Sequence, residues 1–148
     1  MDNKEFARLV SRDENLRRTI LDKWKRQWAM NQSATDCWIC PLKPSKANGY
    51  CQGSYNGFNK FALVHVVAAW ENMNENDASD GSEASHLCAK PTCFNPNHII
   101  FESKQMNQSR RGCIGFIIDM NDVRYLHCEH APPCLSTVHL RTCVRQIE

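Results

Sequence analysis

The stretch Ser85–Cys113 reads SHLCAKPTCFNPNHIIFESKQMNQSRRGC and holds most of the residue types in the chain that can do chemistry. Cys88, Cys93 and His98 follow one another at five-residue steps, and Cys113 closes the stretch. Thiolates and imidazoles separated by short loops are the ligands of a tetrahedral zinc ion. A fourth ligand for this first set must come from upstream, where Cys37, Cys40 and Cys51 are the candidates. A second set is Cys113, Cys128, His130 and Cys134, whose tight Cys-x-His-x₃-Cys end is a specific signal. Four protein ligands leave a metal no open position, so both zinc ions are expected to be structural.

His86 and Asn107 raise a different chemistry. His86 lies two residues before Cys88, so its backbone would be clamped while its imidazole stayed free. A neutral imidazole can take a proton from water near physiological pH. The amide oxygen of Asn107 is a hard donor suited to Mg²⁺, which keeps most of its waters and takes few protein ligands. Spacing alone does not separate this reading from a spare ligand at His86 or a surface residue at Asn107.

These residues need elements to hold them. Residues 1–11 are expected to form a short helix carrying Phe6, Leu9 and Val10. Ser11 with Glu14 fits a capping box for a second helix. Its stripe is Leu16, Ile20, Leu21, Trp24 and Trp28, and Arg17, Arg18, Lys25 and Arg26 lie opposite, on a face open to solvent or to a phosphate backbone. Two short antiparallel strands are expected around 49–53 and 57–62, then a buried helix from Leu63 to about Met73. The acidic run from Glu71 to Glu83 reads as an exposed loop. Pro91 and Pro96 forbid a regular helix through the ligand loop, whereas Phe101 to Arg111 reads as one. Ile114 to Leu126 suggests a strand pair turned at Asn121–Asp122, and Leu135 to Glu148 one short helix or strand. Segment 1–34 is expected to be helical and to form one globular unit with a metal-binding domain over 35–148.

Composition sets the outer limits. The chain has 148 residues, nine cysteines and a formal charge of +2. Polar residues interrupt the apolar ones so often that little regular core is expected, and metal would supply the missing stability. The opening Met-Asp-Asn-Lys-Glu is polar, with no apolar run behind it and no segment long enough to span a membrane. An intracellular setting, nuclear in a eukaryote, and metal rather than disulfides follow as expectations. Thiolate ligation at two zinc sites would cancel the small positive charge, so any basic surface must be local. The local runs are Arg17-Arg18, Lys23 to Arg26 and Arg110-Arg111, the last lying nearest the chemistry.

Ser85-His86-Leu87-Cys88, Cys93, Asn95-Pro96-Asn97-His98 and Asn107 together resemble the His-Cys box homing endonucleases, a branch of the ββα-metal, or His-Me finger, nucleases. Cys113, Cys128, His130 and Cys134 match the second zinc site of that family, and Cys37-Trp38-Ile39 resembles the segment that gives the first zinc its remaining ligand. The resemblance covers about residues 37–134. It implies an α+β, zinc-stapled ββα-metal fold with two structural Zn²⁺ and one catalytic Mg²⁺. His86 would be the general base, Asn107 the Mg²⁺ ligand and Cys37 the fourth ligand of the first zinc. Cys40, Cys51 and Cys143 would be free or accessory. DNA is the implied partner, with RNA left open and a homodimer admitted. The family also sets an arginine before its buried helix. This chain has none between Arg26 and Arg110, and Lys60 is the nearest replacement, offering a point charge rather than a fork. A fold that kept its zinc and bound DNA or RNA without cutting is the alternative. A zinc-built protein-interaction domain is the third reading.

Overall fold

The computed structural model describes residues 1–73, 82–113, 116–120 and 123–135. Two helices open the chain, α1 (Asn3–Arg12) and α2 (Glu14–Trp28). A hairpin of β1 (Gln52–Tyr55) and β2 (Phe58–Leu63) runs directly into α3 (Val64–Trp70). A second hairpin pairs β3 (Ser82–His86) with β4 (Ile99–Ser103), and α4 (Lys104–Arg110) follows at once. A third pairs β5 (Phe116–Met120) with β6 (Val123–His127). All three two-stranded sheets are antiparallel, and the architecture is α+β.

The helix boundaries differ from the sequence expectation for identifiable reasons. The capping box sits at the start of α1, where Asp2 accepts from the Glu5 amide at 2.8 Å and the Glu5 carboxylate accepts from the Asp2 amide at 2.9 Å. Asp13, not Ser11, caps α2, accepting from the Leu16 amide at 3.0 Å. Ser11 still belongs to α1 and donates its hydroxyl to the Arg8 carbonyl at 2.7 Å. The expected helix from Phe101 is a strand as far as Ser103, whose hydroxyl accepts from the Met106 amide at 3.1 Å and so starts α4. β1 and β2 lie slightly later than expected, and α3 ends at Trp70.

Arg17 was expected on the solvent face of α2, yet it is 8% exposed. Its Nη1 donates to the carbonyls of Val10 and Ser11 at 3.2 and 3.0 Å, satisfying acceptors at the end of α1. Its Nε meets Glu71 at 2.6 Å, so the start of the acidic run is an ion-pair partner and not an exposed loop. Ser82 and Glu83, at the other end of that run, belong to β3. The acidic residues between them, the turn at Asn121–Asp122 and the tail from 136 onward lie outside the described residues.

The apolar core is more continuous than the interrupted sequence suggests. Phe6, Val10, Ile20, Leu21, Trp24, Phe61, Val64, Val67, Phe94 and Ile99 belong to one buried cluster, because side chains distant in sequence converge on α3 and the two hairpins. Phe6 stacks on Phe58 at 4.1 Å between ring centroids. Trp24 packs tightly against Gly53: a Cβ there would come within 2.5 Å of two carbons of the indole. Only glycine lets the hairpin approach this closely. Each large aromatic side chain buried here removes on the order of 150–250 Å² from water. This core fixes β2 and α3, and α3 carries the floor of the site described next.

Candidate active site and metal centres

The β3–β4 connection is a loop of twelve residues held at both ends. β3 and β4 close on the pair His86–Ile99, and the Leu87 amide donates to the His98 carbonyl at 2.8 Å. The strand-like segment 38–40 lies against the far side of the loop. The Phe94 amide donates to the Trp38 carbonyl at 2.8 Å and the Cys40 amide to the Thr92 carbonyl at 2.9 Å. Asn95, fully buried, fastens the same segment: its Nδ2 donates to the carbonyls of Ala34 and Asp36 at 2.9 and 2.7 Å. The result brings Cys37 to Cys88, Cys93 and His98, with one donor atom from each within 4.8 Å of the others. His98 turns Nδ1 toward the sulfurs of Cys37 and Cys93, at 3.5 and 3.6 Å, and bonds the Thr35 carbonyl through Nε2 at 3.0 Å. That outer hydrogen bond fixes the ring and its tautomer. Crowded thiols cannot all keep their usual pKa. The hydrogen bond from the Cys88 thiol pulls Cys93 down to about 5, while the same bond pushes Cys88 far up.

The second cluster gathers Cys113, Cys128, His130 and Cys134, again within 4.8 Å. His130 Nδ1 lies 3.0 Å from Cys128, 3.5 Å from Cys113 and 3.6 Å from Cys134. Its Nε2 bonds the Ser109 hydroxyl at 3.0 Å. Burial opposes the Cys128 thiolate. The backbone amides of Cys134 and His130, together with the His130 and Cys113 side chains, still pull its pKa down to about 6. Soft sulfur and one imidazole nitrogen per set are the donors zinc prefers, so both clusters fit the metal.

Between the clusters lies an open cavity of about 280 Å³, lined by Tyr50, His86, Pro91, Asn107, Arg110 and Arg111 among others. His86 is half-buried at the end of β3, and its Nε2 contacts the Cys93 carbonyl at 2.9 Å. A carbonyl only accepts, so Nε2 carries the proton of the neutral ring and Nδ1 is the basic nitrogen. Burial holds the His86 pKa below the usual imidazole value, against the pull of the Cys93 carbonyl and charge. His65, from α3, packs against it with the rings tilted, at 4.7 Å between centroids, and Tyr50 packs on His65 at 4.3 Å. Burial, helped by His86, drives His65 down to about 3, so this ring stays neutral.

A family model described as the zinc-binding loop region of homing endonuclease matches residues 36–145. The chain belongs to this family. The match runs from the residue before Cys37 to beyond Cys134, so both clusters fall inside it. No curated protein and no solved structure matches the chain. Membership accords with the His-Me type of fold, here α+β with two Cys/His clusters suited to zinc. Among the described residues no helix is long and apolar enough to cross a membrane.

The structure brings most of the sequence candidates to the two clusters and the cavity, and sets Cys40, Cys51 and Lys60 apart from them. Cys37 joins the first cluster, whereas Cys40 and Cys51 are both buried outside it, with the Cys51 sulfur 4.0 Å from the Cys40 carbonyl. His86, Asn107, Arg110 and Arg111 line one cavity. Lys60 does not; it stands exposed on β2. Arg110 was expected on nucleic acid, but it is 4% exposed and its guanidinium is engaged. Glu102 takes it in a bidentate pair at 2.6 and 3.1 Å, and the Pro132 carbonyl accepts from it at 2.7 Å. The imidazole of His86 is not free at both nitrogens as expected, since Cys93 holds one. Asn95, His65, Ser109 and Glu102 were missed as positioning residues. Only Asn95 carried a local signal, a buried-turn Asn-Pro-Asn beside a ligand.

Proposed function

We propose that the protein is a Mg²⁺-dependent endonuclease that hydrolyses DNA phosphodiester bonds, with two zinc ions serving only as scaffold. The observation that carries this reading is the cavity in which a half-buried imidazole, an asparagine amide and an exposed arginine converge, inside a zinc-binding homing-endonuclease domain. His86 Nδ1 takes a proton from the attacking water, and its Nε2–H, held by the Cys93 carbonyl, keeps the ring aimed and in the reactive tautomer. Asn107 lies on α4 and commits its amide nitrogen to Glu83 at 2.8 Å, so the oxygen is the end available to a hard cation. Mg²⁺ held there would supply charge stabilisation to the scissile phosphate and the departing 3′ oxygen. Arg111, at the C-terminal end of α4, takes the scissile phosphate, the role the sequence left to Lys60. The products carry a 5′-phosphate and a 3′-hydroxyl.

The test is a plasmid nicking assay with zinc-loaded protein. Mg²⁺ should produce nicked and linear DNA, and Arg111→Ala should lower the rate at least tenfold without releasing zinc. A second reading, a zinc-stapled DNA- or RNA-binding module without cleavage, is favoured by the engagement of Arg110 within the protein, which leaves Arg111 as the exposed arginine at the cavity. It predicts salt-sensitive binding and no metal-dependent products.

A further inference from the structure

Glu83 was assigned no part by the sequence, and it does not line the cavity. Its carboxylate reaches from β3 to α4 and accepts from Asn107 Nδ2 at 2.8 Å. β3 is the strand that ends in His86, so one strand carries both the base and the group that grips the cation ligand. The pairing has a chemical consequence. A carboxylate has only acceptors, so it takes the NH₂ end of the amide and never the oxygen. An asparagine without such a partner can present either end to the cavity, and only one of the two binds a hard cation.

The charge of Glu83 has no other evident use. Its direct cross-strand neighbour is Glu102, and like charges facing across a ladder repel. Glu102 is neutralised by Arg110 at 2.6 Å. Glu83 has no such cation within ion-pair distance among the described residues. A half-buried carboxylate without a counter-charge is a cost to folding that a function can explain.

We infer that Glu83 is the positioning residue of the divalent-cation site: it holds the Asn107 amide with its oxygen toward the cavity and, by accepting from the NH₂ group, increases the negative charge on that oxygen. The inference rests on Asn107 being the cation ligand and adds the reason a single neutral amide is enough. Partners in the second layer around a metal typically change its affinity by about 10–100-fold when removed.

The experiment uses zinc-loaded full-length protein and Mn²⁺ as the probe, followed by loss of the free-ion paramagnetic signal. Wild type should bind one Mn²⁺ per chain, and Asn107→Ala should abolish binding. Glu83→Gln, which is isosteric, should weaken it at least tenfold while keeping two zinc ions and the wild-type melting temperature. In nicking assays the same variant should need at least tenfold more Mg²⁺ for half-maximal rate, with the rate at saturating Mg²⁺ reduced less than threefold. Glu83→Gln binding Mn²⁺ as wild type does, while Asn107→Ala does not, overturns the inference and leaves the nuclease reading intact. Wild type that binds no Mn²⁺ overturns both.

Discussion

The two Cys/His clusters use the same donor set, three thiols and one imidazole, yet they are built into the protein differently. In the first, Cys93 is fully buried, Cys88 and His98 nearly so, and the ligands come from segments 37 and 88–98, far apart in the chain. Its loop shares hydrogen bonds with β3, β4 and the segment after α2, and it contacts His86 directly through the Cys93 carbonyl. In the second, Cys113 and His130 are half-exposed and all four ligands fall within 113–134. It reaches the site through α4, by way of Ser109 and Arg110. The first cluster therefore holds His86, and the second holds the helix that bears Asn107. One further link ties them, the Leu135 amide donating to the Leu87 carbonyl at 2.8 Å.

Removing a ligand from each cluster should break them unequally, and this is the largest effect expected. Structural zinc contributes on the order of 10 kcal/mol to small domains. Cys93→Ser should lose the first zinc and with it the cooperative unfolding transition, since the cluster closes contacts across about sixty residues of chain. Cys128→Ser should lose one zinc but keep the transition of the α1–α3 core, with cleavage failing through Mg²⁺ binding. Zinc content and thermal melting followed by circular dichroism distinguish these outcomes; identical melting of the two variants would remove the asymmetry.

Asn95→Ala sharpens the first half of the comparison. It leaves two carbonyls of the Cys37 segment without their buried donor, and a loss of about 2–3 kcal/mol is expected from denaturant unfolding. A change below about 0.5 kcal/mol would mean that zinc alone holds the segment.

Acid should act on the His86 side of the site through His65. Its folded pKa is about 3, against about 6.5 in the unfolded chain. The unfolded state therefore binds the extra proton as pH falls below 6.5, and stability is lost over that range down to about pH 3. At pH 5 this single group costs about 2 kcal/mol. Comparing the pH dependence of wild type with that of His65→Phe isolates the term from zinc release, which both proteins share. Parallel stability curves would show that His65 does not remain neutral.

The smallest effect is expected at the rim of the second cluster. Ser109→Ala removes the hydrogen bond to His130 Nε2 and should speed loss of one zinc to a chelator several-fold, with unfolding changed by less than about 1 kcal/mol. Equal release rates would place the support of His130 elsewhere.

The ligand clusters were legible because metal coordination writes itself into local spacing: Cys88, Cys93 and His98, or Cys128, His130 and Cys134, stand within reach along the chain. The apolar stripe of α2 and the hairpin before α3 were legible for the same reason, a short period. What escaped depends on partners far away. Nothing near Arg17 in sequence announces Glu71, and nothing near Arg110 announces Glu102 and Pro132, so both arginines read as free cations. Cys37, Cys40 and Cys51 were equivalent by spacing. Asn95 separates them in space, because its amide fastens the backbone around Cys37 and not the other two. The β4–α4 boundary was misplaced because IIFES has no breaker after it. The only mark was Ser103, an N-cap residue inside an otherwise continuous pattern.

The proposed chemistry depends on His86. Zinc-loaded wild type and His86→Ala should be compared in a Mg²⁺-dependent DNA cleavage assay, with zinc content measured on the same samples. The expected result is two zinc ions in each protein and a rate lower by about 10²–10⁴-fold in His86→Ala. Equal cleavage by both proteins, or no metal-dependent cleavage by wild type, would contradict it.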